Sequence, residues 1–304
     1  MRYGAYVPNF GPYGDARVLA DLAYEAEEAG WDGFFLWDQV AKSTLTPTVD
    51  PMVDPWIALA AIALRTRTIR LGTLVTPLPR RRPWMVARET VSLDQLSSGR
   101  LIFGVGAGGG YFDFEALGEN SDPTTLAALL DEGLEVLTGL WGGEPYRHVG
   151  TAYHIEEAQF LPRPLQSPRI PIWVAGMWPA KVPLRRAARW DGVIPIGRDL
   201  PLAAMLTPAQ MQDIVRYVAS QPGYTTPFEV VHSGITAGAD AAHDREVAAA
   251  YQQVGVTWWV EKILPERWGS WTDWPLEAMR ARIRRGPPKG GGGLSSNNDR
   301  PIVY

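Results

Sequence analysis

Short apolar runs alternate along the chain with longer stretches whose apolar positions recur at helical spacing. The runs are typical of buried parallel strands, and the periodic stretches are typical of amphipathic helices. The predicted strands cover residues 3–7, 33–37, 69–75, 101–106, 170–175, 192–196, 228–233 and 257–260. The predicted helices cover residues 16–29, 55–65, 83–96, 124–140, 181–188, 208–219, 241–253 and 275–285.

This alternation predicts the fold class and the domain organisation. Strands separated by helices pair in parallel through right-handed crossovers, and eight such units close a (β/α)₈ TIM barrel. An open doubly wound sheet is the alternative. The polar and aromatic segment 144–164 predicts a hairpin inserted between strands four and five. Residues 1–285 are expected to form a single domain, followed by a flexible tail, 286–304, that contains a glycine run.

Composition narrows the possible partners and compartments. The net charge of -4 and the pI near 5.7 provide no sustained basic field, so no nucleic-acid partner is expected. The chain has no cysteine, which excludes disulfides and thiolate chemistry. We see no apolar run of about 18 residues and no signal-peptide pattern, so we expect no membrane partner and a cytoplasmic location.

A glycine-rich segment, residues 104–110, directly follows the fourth predicted strand. In TIM barrels the chemistry sits at the carboxyl ends of the strands, and backbone N–H groups of such a turn can approach an anion closely. The segment satisfies a loose G-x-G-x-x-G pattern. An aromatic segment follows it where a dinucleotide-binding fold has a helix, so a Rossmann fingerprint is disfavoured.

Several segments, taken in order, resemble the luciferase-like monooxygenase family, whose members use a flavin or a deazaflavin. Residues 72–77 (GTLVTP), 97–100 (SSGR) and 104–108 (GVGAG) resemble its central signature. Residues 26–32, 35–38, 171–176 and 187–192 extend the likeness on both sides. The resemblance spans residues 1–200 and continues more loosely to about residue 285.

The resemblance implies a tricyclic cofactor ring in the mouth of a luciferase-like barrel. A bulge at the end of the third strand, often with a non-proline cis peptide, would support one face of the ring. Two segments would contact the polyol chain and phosphate, assisted by a helix N-terminus after Met177. The expected cofactor contacts are Asn9, Asp38, Thr73, Leu74, Val75, Gly106, Ala107, Gly108, Ala175, Gly176 and Met177.

The catalytic candidates are Asp38, Gln39 and His232. Many deazaflavin-dependent relatives have an Asp-His pair where this chain has Asp38-Gln39. A glutamine cannot act as an acid or base near pH 7, although it can hydrogen-bond a ring carbonyl. Asp38 is expected to orient the cofactor or Gln39, and His232 is the best remaining proton donor. No metal-ligand spacing is present, so no metal is expected.

Other charged and titratable residues receive less specific interpretations. The basic run Arg80–Arg82 is expected to be a solvated loop, and the alternative is a contact with an acidic cofactor tail. His148 and His154 fall in the predicted hairpin, which covers the mouth in relatives, and His243 begins a helix.

The resemblance leaves two cofactors open. Coenzyme F420, which we favour, would support hydride transfer to or from a small organic substrate. FMN, reduced by a separate partner reductase, would support monooxygenation. The alternatives are a cofactor-binding barrel without turnover and a glycoside hydrolase using Glu115 and Glu261. Relatives often dimerise through helices two and three, so a homodimer is expected.

Overall fold

The computed structural model describes residues 1–41, 49–269 and 271–289, and these fold into a closed parallel barrel. The eight barrel strands pair in the order in which they follow one another along the chain, and the last pairs with the first to close the barrel, with Arg2 opposite Trp258. The predicted (β/α)₈ barrel is therefore confirmed, and the alternative of an open sheet is wrong. The barrel strands are β1 (Arg2–Val7), β2 (Gly33–Leu36), β3 (Arg70–Pro77), β4 (Leu101–Gly106), β7 (Ile172–Trp178), β8 (Gly192–Gly197), β9 (Glu229–Gly234) and β10 (Trp258–Lys262).

Helices connect the successive barrel strands at nearly the predicted bounds. Aspartates begin four of them, with side chains that accept hydrogen bonds from N–H groups of the first turn, which is the usual chemistry of an N-cap. The helices are α1 (Ala16–Glu28), α2 (Pro55–Arg65), α3 (Pro83–Leu96), α4 (Pro123–Trp141), α5 (Lys181–Ala187), α6 (Pro208–Ala219), α7 (Ala241–Gln253) and α8 (Leu276–Arg284).

The predicted hairpin is present between β4 and β7 as the antiparallel pair β5 (Tyr146–Val149) and β6 (His154–Ala158). It is anchored to α4 by Glu132, whose carboxylate accepts hydrogen bonds from the backbone N–H groups of Ala152 and Tyr153. His148 Nε2 lies 3.1 Å from the same carboxylate. His148 therefore helps to hold the hairpin on α4.

The barrel interior is a core of its own, distinct from the larger core between strands and helices. Its close packing explains two glycines: a Cβ on Gly4 or Gly33 would lie 2.7 or 2.6 Å from the Phe35 ring. Side chains alternate along a strand, so the next residues of the same parity point into the barrel mouth. The interior residues are Phe35, Leu74, Ile102, Trp173, Ile194, Val231, Trp258 and Val260.

The structure describes only the first residues of the predicted tail. Of the predicted tail, residues 286–289 are described, and Lys289 Nζ contacts the Gly30 carbonyl and Asp32 there. Residues 290–304 lie outside the described residues. Within the described residues, no helix is both long and apolar enough to cross a bilayer.

Phe35→Ala tests the interior core. We expect it to lower the free energy of unfolding by about 3 to 5 kcal/mol, because the fully buried ring leaves a cavity that the surrounding strands cannot close. Urea unfolding followed by tryptophan fluorescence measures the change. The half-exposed Met85 of α3 serves as the control, since Met85→Ala should shift the free energy by less than about 0.5 kcal/mol. Equal shifts in both variants would contradict the assignment of the interior core.

Candidate functional site

A cavity of about 150 Å³ opens at the carboxyl ends of the barrel strands. Its floor is largely apolar, and polar groups stand at its edge. The loop that follows β8, residues 200–206, borders it on one side. The lining residues are Tyr6, Leu74, Val75, Ile194, Pro195, Ile196, Gly197, Leu200, Pro201, Leu202, Ala204, Leu206, His232, Ser233 and Lys262.

The end of β3 forms the bulge that the sequence predicts. The pairing of β3 with β4 shifts register between Thr73 and Thr76, and the Leu74–Val75 peptide bond is cis, as predicted. The Tyr6 hydroxyl donates a hydrogen bond to the Leu74 carbonyl. Leu74 and Val75 both line the cavity. Thr73 is buried behind the bulge, where its hydroxyl donates to the Gly104 carbonyl at 3.0 Å and contacts the Thr76 hydroxyl at 2.9 Å.

The carboxylate of Asp38 is buried and fully engaged. The Thr76 hydroxyl donates to one oxygen at 2.7 Å, and Arg80 and Arg81 donate to the other at 2.6 and 3.0 Å. Asp38 thus links the end of β2 to the bulge and to the loop after it, and it is not among the residues that line the cavity. The prediction of a solvated basic loop is wrong for two of its three arginines, since the Arg80 and Arg81 side chains are 6% and 17% exposed. Arg82 is exposed, as predicted.

Asn9 and Gln39 meet at the ends of β1 and β2. Asn9 Nδ2 donates to the carbonyls of Gln39 and Val53 at 3.0 and 2.8 Å, which fixes the backbone after β2. Two buried polar atoms nearby, Gln39 Oε1 and Trp37 Nε1, have no hydrogen-bond partner within residues 1–41, 49–269 and 271–289. The Trp37 ring lies 5.9 Å from that of Tyr6, which lines the cavity. This corner therefore retains an acceptor and a donor for a bound group.

His232 has the opposite parity to the interior residue Val231 and packs away from the barrel axis. Its ring stacks on Tyr251 of α7 with a centroid distance of 4.0 Å, and the residue is 2% exposed. Burial, with a smaller effect from the positive charge of Lys262, lowers the His232 pKa to about 3. The ring is uncharged at pH 7, so this environment disfavours the predicted role as proton donor.

The glycine segment after β4 has two different parts. A Cβ on Gly106 would lie 3.0 Å from Val75 and 3.4 Å from Ala175, so this glycine permits tight packing against the bulge. Ala107 packs on the outer core. Gly108, Gly109 and Gly110 have φ angles of 72°, 133° and 97°, and their N–H groups donate to no acceptor among the described residues. This backbone is open to an anion.

The segment Ala175-Gly176-Met177 lies inside β7, which extends beyond the predicted strand end at residue 175. The strand continues to Trp178, and α5 begins at Lys181. The helix predicted to begin at residue 181, after Met177, is therefore present and starts at the predicted residue. Ala175 packs against the interior core, Gly176 lies under α5, and Met177 is 40% exposed at the rim.

The sequence prediction missed Lys262, which ends β10. Its Nζ donates to the carbonyls of Leu202 and Ala204 at 2.7 and 2.8 Å. Burial lowers its pKa from the ordinary 10.5 to about 8, partly opposed by the charge of Glu266. The sequence contains a signal for this residue: Lys262 comes two positions after the interior residue Val260, so its side chain points to the same side of the strand. Tyr6 and Ser233 were missed as well.

Two acids proposed as a hydrolase pair do not face each other across the mouth. Glu261 points outward from β10 and binds Thr236, Trp259, Arg267 and Arg282. Glu115 lies on an exposed turn, where it accepts from the Ser121 hydroxyl. In the described part of the chain, no group of three or more His, Asp or Glu side chains is placed to hold a metal ion. The hairpin contributes no residue to the cavity lining, so His148 and His154 are remote from it.

The fold and the site together define a parallel barrel with a ligand cavity at the carboxyl ends of its strands. The family model described as luciferase-like monooxygenase matches residues 1–271. The chain therefore belongs to the luciferase-like monooxygenase family, as the sequence resemblance predicted.

Individual relatives differ in the chemistry that their names carry. An F420-dependent glucose-6-phosphate dehydrogenase of Nakamurella multipartita is 33% identical over 59% of this chain and 50% of its own length. The oxygenase component of the flavin-dependent trigonelline monooxygenase of Acinetobacter baylyi is 32% identical over 53% of this chain and 43% of its own. The chain thus spans about half the length of these relatives.

A solved structure supports the fold over nearly the whole chain. An F420-dependent secondary alcohol dehydrogenase, in complex with an F420-acetone adduct, superimposes with a TM-score of 0.74. It covers 93% of this chain and 96% of its own, at 16% sequence identity. At this identity the likeness bears on the fold alone.

Asp38→Asn tests the hydrogen bonds and ion pairs of the Asp38 carboxylate with Thr76, Arg80 and Arg81. We expect the free energy of unfolding to fall by about 3 kcal/mol, because the Arg80 and Arg81 guanidinium groups lose their shortest ion pair and keep only the longer contacts with Asp113 and Asp54, at 3.4 and 3.5 Å. The matched control is Asp21→Asn, which removes an exposed ion pair with Arg65 and should cost less than about 1 kcal/mol. Urea unfolding measures both. If Asp38→Asn lowers the free energy of unfolding no more than Asp21→Asn does, the contacts of the Asp38 carboxylate do not stabilise the mouth.

Proposed function

We propose that this protein is an oxidoreductase that holds coenzyme F420 in the barrel mouth and transfers a hydride to or from a small organic substrate. The observation that carries the proposal is the cavity at the carboxyl ends of the strands, whose floor includes the bulge residues Leu74 and Val75. Cofactor and substrate sites of TIM barrels occur at this face.

The residues present suit a planar ring with an anionic tail. Leu74, Val75 and Ile194 offer an apolar surface for the ring, and the buried Gln39 Oε1, after β2, is an acceptor with no partner among the described residues. The open N–H groups of residues 108–110 suit the phosphate of the tail. When bound, the deazaflavin supplies two-electron hydride chemistry, while the protein positions substrate and ring and excludes water.

The relatives divide between the two cofactors. The F420-dependent dehydrogenase of Nakamurella multipartita favours the deazaflavin. The second candidate is FMN-dependent monooxygenation, favoured by the trigonelline monooxygenase, whose name as an oxygenase component indicates a separate reductase. In that case this chain would also need a reductase partner to supply reduced FMN.

Equilibrium binding of the purified protein to coenzyme F420 and to FMN, followed by fluorescence, tests the proposal. Binding of F420 in the micromolar range or tighter, with weaker binding of FMN, is the expected result. The reverse preference would select monooxygenation. Binding of neither cofactor would refute both candidates. Binding without any substrate-dependent change in the cofactor spectrum would indicate a barrel that binds but does not turn over.

Gly110→Ala tests the open backbone of the glycine segment. We expect cofactor affinity to fall at least tenfold, because a side chain at φ 97° strains the loop by about 1 to 3 kcal/mol and redirects its N–H groups. Gly118→Ala is matched for strain, since Gly118 has φ 77° and likewise no atom within 4 Å of a built Cβ. Fluorescence titration should show normal affinity in that control. Equal losses in both variants would exclude a specific contact at Gly110.

A further inference from the structure

We propose that Lys262 is the acid–base residue that exchanges a proton with a substrate oxygen when hydride is transferred. This inference rests on the proposed function and deepens it, because it assigns the proton and requires a substrate with a carbonyl or hydroxyl group.

The placement of Lys262 is the first observation. It lies at the end of β10, on the same side of the strand as the interior residues Trp258 and Val260, and it lines the mouth cavity. The hydrogen bonds to the Leu202 and Ala204 carbonyls hold its Nζ in place. An ammonium group has three N–H donors, so one remains for a ligand.

The other titratable side chains of the cavity are unsuited to this task. Among the described residues that line it, these are Tyr6 and His232. The Tyr6 hydroxyl is committed to the Leu74 carbonyl, and burial raises its pKa. The His232 ring carries no charge near neutral pH. Asp38 is held behind the bulge by two arginines.

The surroundings leave Lys262 without a counter-ion. No carboxylate of the described residues lies within 4.0 Å of its Nζ, whereas the cationic groups Arg267 and Arg282 nearby on the outer side of β10 share Glu261. The charged and titratable groups that act on Lys262 are Glu266, which raises its pKa, and His232, which is uncharged. The bordering loop 200–206 contains no titratable side chain. An amine placed in this way can be acid or base near pH 8.

The chemical step balances without a further reactant. Lys262 gives a proton to the carbonyl oxygen of the substrate while the carbonyl carbon receives a hydride from the reduced deazaflavin. The C=O π bond breaks, one C–H and one O–H bond form, and the ketone becomes an alcohol as the deazaflavin is oxidised. The neutral amine then regains its proton from solvent. In the reverse direction Lys262 accepts the hydroxyl proton.

The first experiment measures the proton affinity of Lys262 without turnover. The chain has four lysines, Lys42, Lys181, Lys262 and Lys289, so acetic anhydride labelling followed by mass spectrometry resolves each of them. We expect the labelling of Lys262 to reach half its maximum near pH 8, well below the about 10.4 of a solvated lysine. A midpoint near that of a solvated lysine would overturn the inference, whatever the turnover.

The second experiment follows oxidation of reduced F420 by cyclohexanone and by other small ketones as a function of pH. Reduction needs the ammonium form, so the wild-type rate should fall as pH rises through about 8. Lys262→Met should lose about 100-fold or more in rate and lose this pH dependence, while its F420 affinity stays unchanged. Ethylamine should partly restore the rate of Lys262→Ala, which a purely structural role would not allow.

Lys289→Met is the matched control, because Lys289 contacts Asp32 at the opposite end of β2, and its pH profile should remain that of wild type. If the wild type binds and oxidises reduced F420 but Lys262→Met keeps the wild-type profile, the role of Lys262 is refuted and the proposed function stands. If the wild type neither binds nor oxidises F420, the proposed function fails, and the role of Lys262 fails with it.

Discussion

The buried charge of Asp38 is the constraint on which the mouth of the barrel depends. A carboxylate removed from water must be paired and hydrogen-bonded, and here Thr76, Arg80 and Arg81 meet both demands. These partners come from the end of β3 and from the loop after it, whereas Asp38 follows β2. Satisfying one charge therefore fixes two strand ends and holds Thr76 beside Thr73, so that Leu74 and Val75 are presented to the cavity.

This arrangement divides the polar groups of the mouth into two sets. Asn9 and Thr73 donate to backbone carbonyls, and Asp38 binds arginine, so these three residues position the walls of the cavity. Gln39 Oε1 and the N–H groups of residues 108–110 have no partner in the part of the chain that the structure describes, and Lys262 keeps one donor. The sequence resemblance puts Asn9, Asp38 and Thr73 in one list of cofactor contacts with Gly108, names Gln39 only as a catalytic candidate and omits Lys262. Only the hydrogen-bond geometry separates the groups that build the site from those that can meet a ligand.

The fold was largely predictable, because hydrophobic periodicity locates each strand and helix and their number dictates closure. The errors fall where polar residues continue a strand. The fourth residue of β10 is Glu261 and the fifth is Lys262, so an apolar criterion ends that strand at Val260. The burial of Arg80 and Arg81 was equally inaccessible, since it depends on a carboxylate about 40 residues earlier in the chain. Such pairings follow from the closed barrel and leave no local pattern.

The strand order places Gln39 and Lys262 on opposite sides of β1. β1 pairs with β2 on one side and with β10 on the other, so Gln39 and Lys262 lie at strand ends that flank Tyr6. The described residues at the end of β2 offer two neutral groups, the Gln39 amide oxygen and the Trp37 indole N–H, whereas the end of β10 offers an amine whose pKa is lowered by burial to about 8. In this arrangement Lys262 exchanges the proton at the β10 side of the mouth, and Gln39 binds the ring at the β2 side. A substrate oxygen would then have to approach from the side of loop 200–206, whose carbonyls hold Lys262 in place.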